Sequence, residues 1–315
     1  MTCVIVTAVG SLAGYGVVRS LRHWRPQLRL VGLDAQSDAV GREWCDDFAC
    51  ITTADQADYR DALAQAVVRA GGDVIVPTHP TEIEPLSTWS GSPTPIAVER
   101  PGLVHLASDK LAMSEWLSER GEPTTIPTSA ITSYAEHAEL FGTPFIVKPR
   151  VGSGSKGVRR ISSEGDFTAA VGEQPETMLA QALVGTDDEE YSAAVFGDGH
   201  GGIAARIVLR RTLDRGGWTR RATSTQPPGL DEVLERLCGI LRPRGASNLQ
   251  LRRSHEQWWL LELNPRISSS TSIRSRLGYP EASMAVDFAL DGSLPRQPVI
   301  TSGTVVRYLD DRVLR

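Results

Sequence analysis

Two stretches of the chain hold residue types that could handle phosphate and a hard metal ion. In VKPRVGSGSKG (147–157), Lys148 ends an apolar run and precedes a turn with glycines at 152, 154 and 157. Glycines let main-chain N–H groups approach an anion closely, and successive N–H groups form an anion-binding nest. Lys148 and Lys156 flank that turn with compact positive charges. The spacing is not that of a Walker loop. An ordinary surface turn would account for the glycines alone; the Lys-Pro step just before them favours phosphate. The second stretch holds Asn248, Gln250, Glu262, Asn264, Pro265 and Arg266. If 247–253 and 257–264 are paired strands, alternation puts Asn248 with Gln250 on one face and Glu262 with Asn264 on one face. Oxygen donors with a single carboxylate suit Mg²⁺ shared with nucleotide phosphates, not zinc. The competing reading is the polar face of an exposed hairpin, which LLELNPR disfavours, since an acid after two leucines suggests a carboxylate at the edge of a core.

These residues need a scaffold, and the patterning supplies one. CVIVTAV (3–9), LRLVGLDA (28–35) and DVIVPT (73–78) are short apolar strands. They alternate with helical segments such as VVRSLRHW (17–24) and YRDALAQAVVRAG (59–71), as in a parallel α/β sheet. A Pro-rich stretch, 90–101, ends that unit. A second unit holds a helix over 107–121, a strand over 144–150, the Gly-rich turn and a strand over 177–183. A third holds a hairpin of 190–199 with 202–211, a helix over 231–241, the hairpin 247–253 with 257–264, and a short tail strand within 302–311.

Composition narrows the class. The chain has 315 residues and a net charge of -5, with no basic block, so nucleic acid is not the expected partner. Cys3, Cys45, Cys50 and Cys238 form neither a disulfide framework nor a zinc knuckle and are read as reduced thiols. The apolar N-terminus lacks a positive n-region and is broken by Gly10, Gly14 and Gly16, so neither a leader nor a membrane span is expected. The expected setting is cytoplasmic. Of 33 basic side chains only Lys110, Lys148 and Lys156 are lysines. Where the background so favours arginine, a retained lysine marks a position suited to a point charge.

Taken together, ASDK (107–110), FIVKPRVGSGSKGV (145–158), QALVG (181–185), EY (190–191), SNLQL (247–251) and LLELNPRIS (260–268) resemble the ATP-grasp superfamily, in particular its carbamoyl-phosphate-synthase-like branch. The resemblance covers roughly 106–270, and residues 1–105 are similar to the Rossmann-like domain that precedes the core in that branch. It implies an α/β protein with α+β core lobes: a first lobe over 106–183 with a Gly-rich lid, and a second over 184–315 with the metal site and tail. It implies an ADP-forming ligase that joins a small carboxylate, such as an amino acid, to an amine through an acyl phosphate. Lys110 and Lys148 would contact ATP phosphates, and Gly152, Ser153, Gly154, Ser155, Lys156 and Gly157 would cover them. Gln181, Ala182 and Leu183 would border adenine, and Glu190 would hold the ribose. Gln250, Glu262 and Asn264 would bind one or two Mg²⁺, or Mn²⁺. Arg266, with Lys148, would support the transferred phosphoryl group. A homodimer is compatible with this reading.

Some positions depart from the superfamily pattern. Its first metal position, often an acid, is Gln250, as occurs in the carbamoyl-phosphate-synthase branch; the hinge acid of some relatives is replaced by Gln181, and an arginine that the synthase pattern has after NPR is Ser269. Bicarbonate chemistry is therefore not carried over. Six arginines crowd 205–221; of these Arg211, Arg215 and Arg221 are candidate substrate contacts, with Ser268, Ser269 and the loop acid Glu82. Two other readings stay open: a kinase that releases a phosphorylated product, and an NAD(P)-dependent oxidoreductase. The latter rests on GSLAGYG with Asp34 about twenty residues on, near a dinucleotide fingerprint but with GxxxGxG spacing.

Overall fold

The computed structural model describes residues 1–152, 154, 156–214, 216–308 and 311. The candidate positions Ser153, Ser155 and Arg215 lie outside the described residues.

The N-terminal unit contains β1 (Cys3–Val6), α1 (Leu12–Trp24), β2 (Arg29–Asp34), β3 (Asp47–Cys50), α2 (Tyr59–Ala70), β4 (Val74–Val76), α3 (Pro80–Ser87) and α4 (Pro101–Ser108). Its four strands are parallel in the order β3-β2-β1-β4. The apolar runs form the predicted strands because both sheet faces are covered. β3 is the strand that patterning misses, since DFAC is only four residues long, has no buried position and sits at an edge.

The glycines of GSLAGYG serve packing. Gly14 and Gly16 lie inside α1, not in a phosphate-binding turn. A Cβ on Gly14 would stand 2.1 Å from the Ala8 carbonyl oxygen, and one on Gly16 would stand 2.7 Å from Thr271 Cγ2. Asp34 closes the preceding turn by accepting the Gly10 N–H at 2.7 Å and the Gln36 N–H at 3.0 Å. The geometry therefore gives the dinucleotide reading no support. Gly14→Ala is expected to cost about 1–3 kcal/mol by overpacking against main chain. Thermal denaturation measures it, and an unchanged midpoint would refute the close approach.

The second unit runs through α5 (Lys110–Ser118), β5 (Thr128–Ala130), α6 (Tyr134–Phe141), β6 (Phe145–Pro149), β7 (Arg159–Ile161), α7 (Glu164–Val171) and β8 (Met178–Ala182). Its antiparallel sheet has the order β5-β8-β6-β7. The helix expected over 107–121 is broken at Asp109. That residue is extended, and its carboxylate caps the N–H groups of Leu111 and Ala112 while pairing with Arg150 at 2.5 Å. The cap ties the start of α5 to the root of the Gly-rich turn.

The third unit holds β9 (Glu190–Asp198), β10 (Ile203–Leu213), β11 (Thr219–Ser224), α8 (Leu230–Leu241), β12 (Arg244–Ser254), β13 (Gln257–Asn264), α9 (Thr271–Arg276), α10 (Glu281–Asp291) and β14 (Thr304–Val306). Its six strands run β13-β12-β9-β10-β11-β14. Side chains of alternating parity separate its two faces. Tyr191, Ala193, Val195, Val208, Leu249, Leu251 and Leu263 pack against α8, together with Leu103 of α4 and Met113 and Leu117 of α5. Ala194, Phe196, Ala205, Ile207 and Leu209 face the other way and share one core with α1, β1, β4, α9 and α10. The N-terminal unit and the last unit are thus fused through apolar burial. Among the described residues, no helix is long and apolar enough to cross a membrane.

Candidate active site

Beyond the apolar end of that second face, the same parity turns polar. Glu190 and Ser192 on β9, Arg211 on β10, Asn248, Gln250 and Arg252 on β12, and Glu262 and Asn264 on β13 continue it. The register pairs Asn248 with Asn264 and Gln250 with Glu262, as the sequence pattern requires. It then slips between Gln250 and Leu251, leaving Leu261 as the extra residue. A bulge of this kind re-aims neighbouring side chains, and here Leu261 and Glu262 both line a cleft.

That cleft has a volume of about 170 Å³ and lies between the second and third units. It brings together Lys110, Lys148, Gly152, Gly154, Lys156, Gln181, Ala182, Leu183, Glu190, Arg211, Gln250 and Glu262. A larger cavity of about 730 Å³ runs beside β10 at Ile203–Val208, but none of these residues reaches it. Chemistry, not size, identifies the site. In the cleft five cations (Lys110, Lys148, Lys156, Arg211, Arg252) face two carboxylates (Glu190, Glu262) among the described residues. Such an excess suits a polyanion.

Lys148 ends β6 with its ammonium buried, donating to Gln181 Oε1 at 2.8 Å. Gln181 in turn donates to Thr128 Oγ1 at 2.7 Å. A neutral amide thus stands where an acid could have paired with the lysine. Burial, reinforced by Lys110, pushes the Lys148 ammonium down to about 8, against the pull of Glu262. Lys110 opens α5 and reaches the turn, donating to the Gly152 carbonyl at 2.6 Å. Gly152, Gly154 and Gly157 all have positive φ, which an L side chain would resist.

Glu190 is nearly buried and doubly held. Its Oε1 accepts from Arg211 Nε at 3.0 Å and from Arg211 Nη2, and its Oε2 accepts from Arg252 Nη2 at 2.7 Å. Burial alone would raise this carboxyl, yet Arg211 and Arg252 hold it below the usual glutamate range. Arg252 is a site residue that sequence reasoning missed. Its signal was available, since it follows Gln250 by two on the same strand.

The expected metal residues differ in their freedom. Glu262 has no hydrogen-bond or ion-pair partner among the described residues. Gln250 Oε1 accepts from Arg211 Nη2, and Asn264 Oδ1 from Arg266 Nη2, both at 2.8 Å. Among the described residues no three His, Cys, Asp or Glu side chains gather as a metal cage. The oxygen-only set fits Mg²⁺ only if phosphate oxygens complete the shell. Burial lowers the Arg266 guanidinium, offset in part by Glu262. Asn248 is diverted: its Oδ1 accepts from Ser192 Oγ at 2.6 Å and from Arg274, a fully buried arginine paired with Glu281 at 2.8 Å.

The candidate substrate contacts scatter. Arg211 belongs to the cationic cleft. Arg221 is exposed on β11 opposite Thr212. Ser268 and Ser269 shape the turn into α9: the Ser268 carbonyl accepts from the Thr271 N–H, and the Ser269 carbonyl from Arg307. Glu82 is not on a cleft loop. It sits buried in α3, where it accepts from Thr7 Oγ1, Tyr59 OH and the N–H groups of Thr78 and His79. A carboxylate so fully engaged has little capacity left for a ligand.

Comparison with known proteins agrees with this geometry. Residues 107–270 match the family model described as ATP-grasp domain. The chain is 24% identical over 210 residues to the arginine-specific carbamoyl phosphate synthase large chain of Lactiplantibacillus plantarum, covering 59% of this chain and 20% of that one. It is 26% identical over 239 residues to the carbamoyl phosphate synthase large chain of Deinococcus radiodurans, covering 68% and 22%. The chain thus spans about a fifth of the length of these relatives. Among solved structures, N5-carboxyaminoimidazole synthetase from Staphylococcus aureus complexed with ADP superposes with a TM-score of 0.74 at 20% identity, over 95% of this chain and 80% of that one. The biotin carboxylase–β,γ-ATP complex from Campylobacter jejuni gives 0.74 at 18%, over 96% and 74%. With its motifs in register around one cationic cleft and more than half its length matched, the chain belongs to the ATP-grasp family.

Proposed function

We propose that the protein is an ATP-dependent ligase that joins a small carboxylate to an amine, releasing ADP and phosphate. One observation carries the reading: three lysines and Glu262, which has no partner among the described residues, face one cleft beneath a glycine turn. ATP, with Mg²⁺, would supply the phosphoryl group that turns a carboxylate into an electrophile. The chain's task is to hold two anions together. At about 4 Å and an effective dielectric near 20, each unit charge pair repels by roughly 4 kcal/mol. Lys110 and Lys148 offset that repulsion at the phosphates, and Arg266 extends the positive field beyond Asn264. Gln250, Glu262 and Asn264 would hold the metal, and the glycine turn would exclude water from the activated carboxyl. The solved relatives named as synthetase and carboxylase support this class of chemistry. We place this activity in the cytoplasm, where ATP is supplied.

The test is ADP release across amino acids and small carboxylates, each with and without amines, with mass detection of the product. Amine-dependent ADP release with a condensed product supports ligation. A stable phosphorylated product would replace it with a kinase.

Lys148 also sets a pH dependence. Phosphate needs its ammonium, and its value in the free protein is about 8. Below that pH the cation is present. As pH rises through it, the proton is lost and ADP affinity should fall, by up to about tenfold per pH unit until the proton-bound complex also titrates. Calorimetric titration from pH 7 to 9.5 measures this. A flat profile would remove Lys148 from the phosphates.

A further inference from the structure

We propose that Arg211 is a nucleotide-positioning residue, locking the sugar-side carboxylate Glu190 and the metal-side amide Gln250 into one unit. The proposal rests on reading the cleft as an ATP site. Arg211 stands on β10, Glu190 on the neighbouring β9 and Gln250 on β12 beyond it. To reach Gln250 the guanidinium must cross one strand and arrive at the next, about 9–10 Å away at ordinary strand spacing. It does so with a fork: Nε and Nη2 on Glu190, and Nη2 again on Gln250 Oε1. Its side chain is only 9% exposed and Glu190 only 5%. Nη1 has no partner among the described residues, while the residue lines the cleft. The neighbour Arg210 shows the contrast: it turns to the other face, is half exposed and pairs with Glu189.

Two consequences follow. With three N–H donors already on Glu190, about one of its roughly four lone-pair directions remains for a ligand hydroxyl. Glu190 therefore orients a ligand more than it grips it, and Arg211 with Arg252 fixes where that one acceptor points. Gln250, held by the same guanidinium, presents its amide oxygen at a set place relative to Glu190. A bound nucleotide whose sugar meets Glu190 then finds its metal ligand already placed. A lysine has the charge but neither the reach nor the fork.

The experiment compares wild type, Arg211→Lys, Arg211→Gln and Arg210→Lys. ADP binding is measured by calorimetry without metal and across a Mg²⁺ series, with thermal midpoints alongside. Arg211→Lys and Arg211→Gln are expected to weaken metal-free ADP binding about tenfold, the fold-change of a lost charge-assisted hydrogen bond. They should also lose most of the gain in ADP affinity that Mg²⁺ gives the wild type. Arg210→Lys should leave both unchanged. Wild-type ADP binding with both Arg211 variants within twofold of it, at every Mg²⁺ concentration, overturns the proposal and leaves the ligase reading standing. A variant that unfolds is replaced by the other; a lowered midpoint with unaltered ADP and Mg²⁺ dependence also overturns it. Failure of the wild type to bind ADP would instead sink the ATP-site reading.

Discussion

Lys148→Met is expected to cut ADP formation by roughly 10²–10³-fold, the range for removing one preorganised stabiliser of developing charge, while leaving the protein at least as stable at pH 7. The two halves of that result have one cause. The Lys148 ammonium is buried against a neutral amide, Gln181, with Lys110 near and no carboxylate paired to it among the described residues. Folding therefore works against its charged form, which is why it titrates near 8 instead of 10.5. Below pH 8 the lysine is charged in both folded and unfolded chains, and the fold bears the full cost. Between 8 and 10.5 the unfolded chain holds the proton more tightly, so stability rises with pH. Methionine keeps the volume and removes the charge, and it should flatten that rise. A stabilised, inactive variant places Lys148 in function; a destabilised one with normal ADP release would place it in structure.

How legible such residues were depends on the range of the interactions that position them. β6, β8, β12 and β13 follow period-two patterning, so Lys148, Gln250, Glu262 and Asn264 could be put on the right faces from sequence alone. The glycine turn was legible for the same local reason. The polar strand β11 (TRRATS) carries no apolar alternation, because it borders the edge strand β14 and is not sandwiched. Glu82 looked free because its side-chain partners Thr7 and Tyr59 lie 75 and 23 residues away; only its caps on the Thr78 and His79 N–H groups are local. Asn248 shares a strand face with Gln250, yet Arg274, 26 residues on, captures it. Arg211 was visible only as one of three candidate substrate contacts, and its fork onto Glu190 and Gln250 exists because the strand order puts β9 between β10 and β12. Local periodicity reveals which way a side chain faces; which partner it meets is a property of the topology.

Glu262→Gln should separate nucleotide binding from metal use with effects of opposite sign. Glu262 is the one carboxylate in the cleft without a partner among the described residues, set opposite Gln250 just past the bulge at Leu261. Before a metal arrives, its charge repels a polyphosphate while favouring the protonated form of Lys148. Once Mg²⁺ is shared with the phosphates, the same charge becomes the anchor, and the amides Gln250 and Asn264 are weaker substitutes. Glutamine is isosteric and removes only the charge. Metal-free ADP is therefore expected to bind up to about tenfold more tightly, a modest part of the Coulomb term at partial solvent exposure. The added affinity from Mg²⁺ should vanish, and turnover should fall by about 10²-fold or more. The loss of Glu262 should also move the alkaline limb of ADP binding to lower pH, since Lys148 loses its one favourable neighbour. Calorimetry with and without Mg²⁺, and ADP release, read the effects separately. Weaker ADP binding in both conditions would mean that Glu262 shapes the cleft and does not hold a metal. Tighter metal-free binding beside lost Mg²⁺ response can arise only if the carboxylate faces the phosphates and the cation mediates between them.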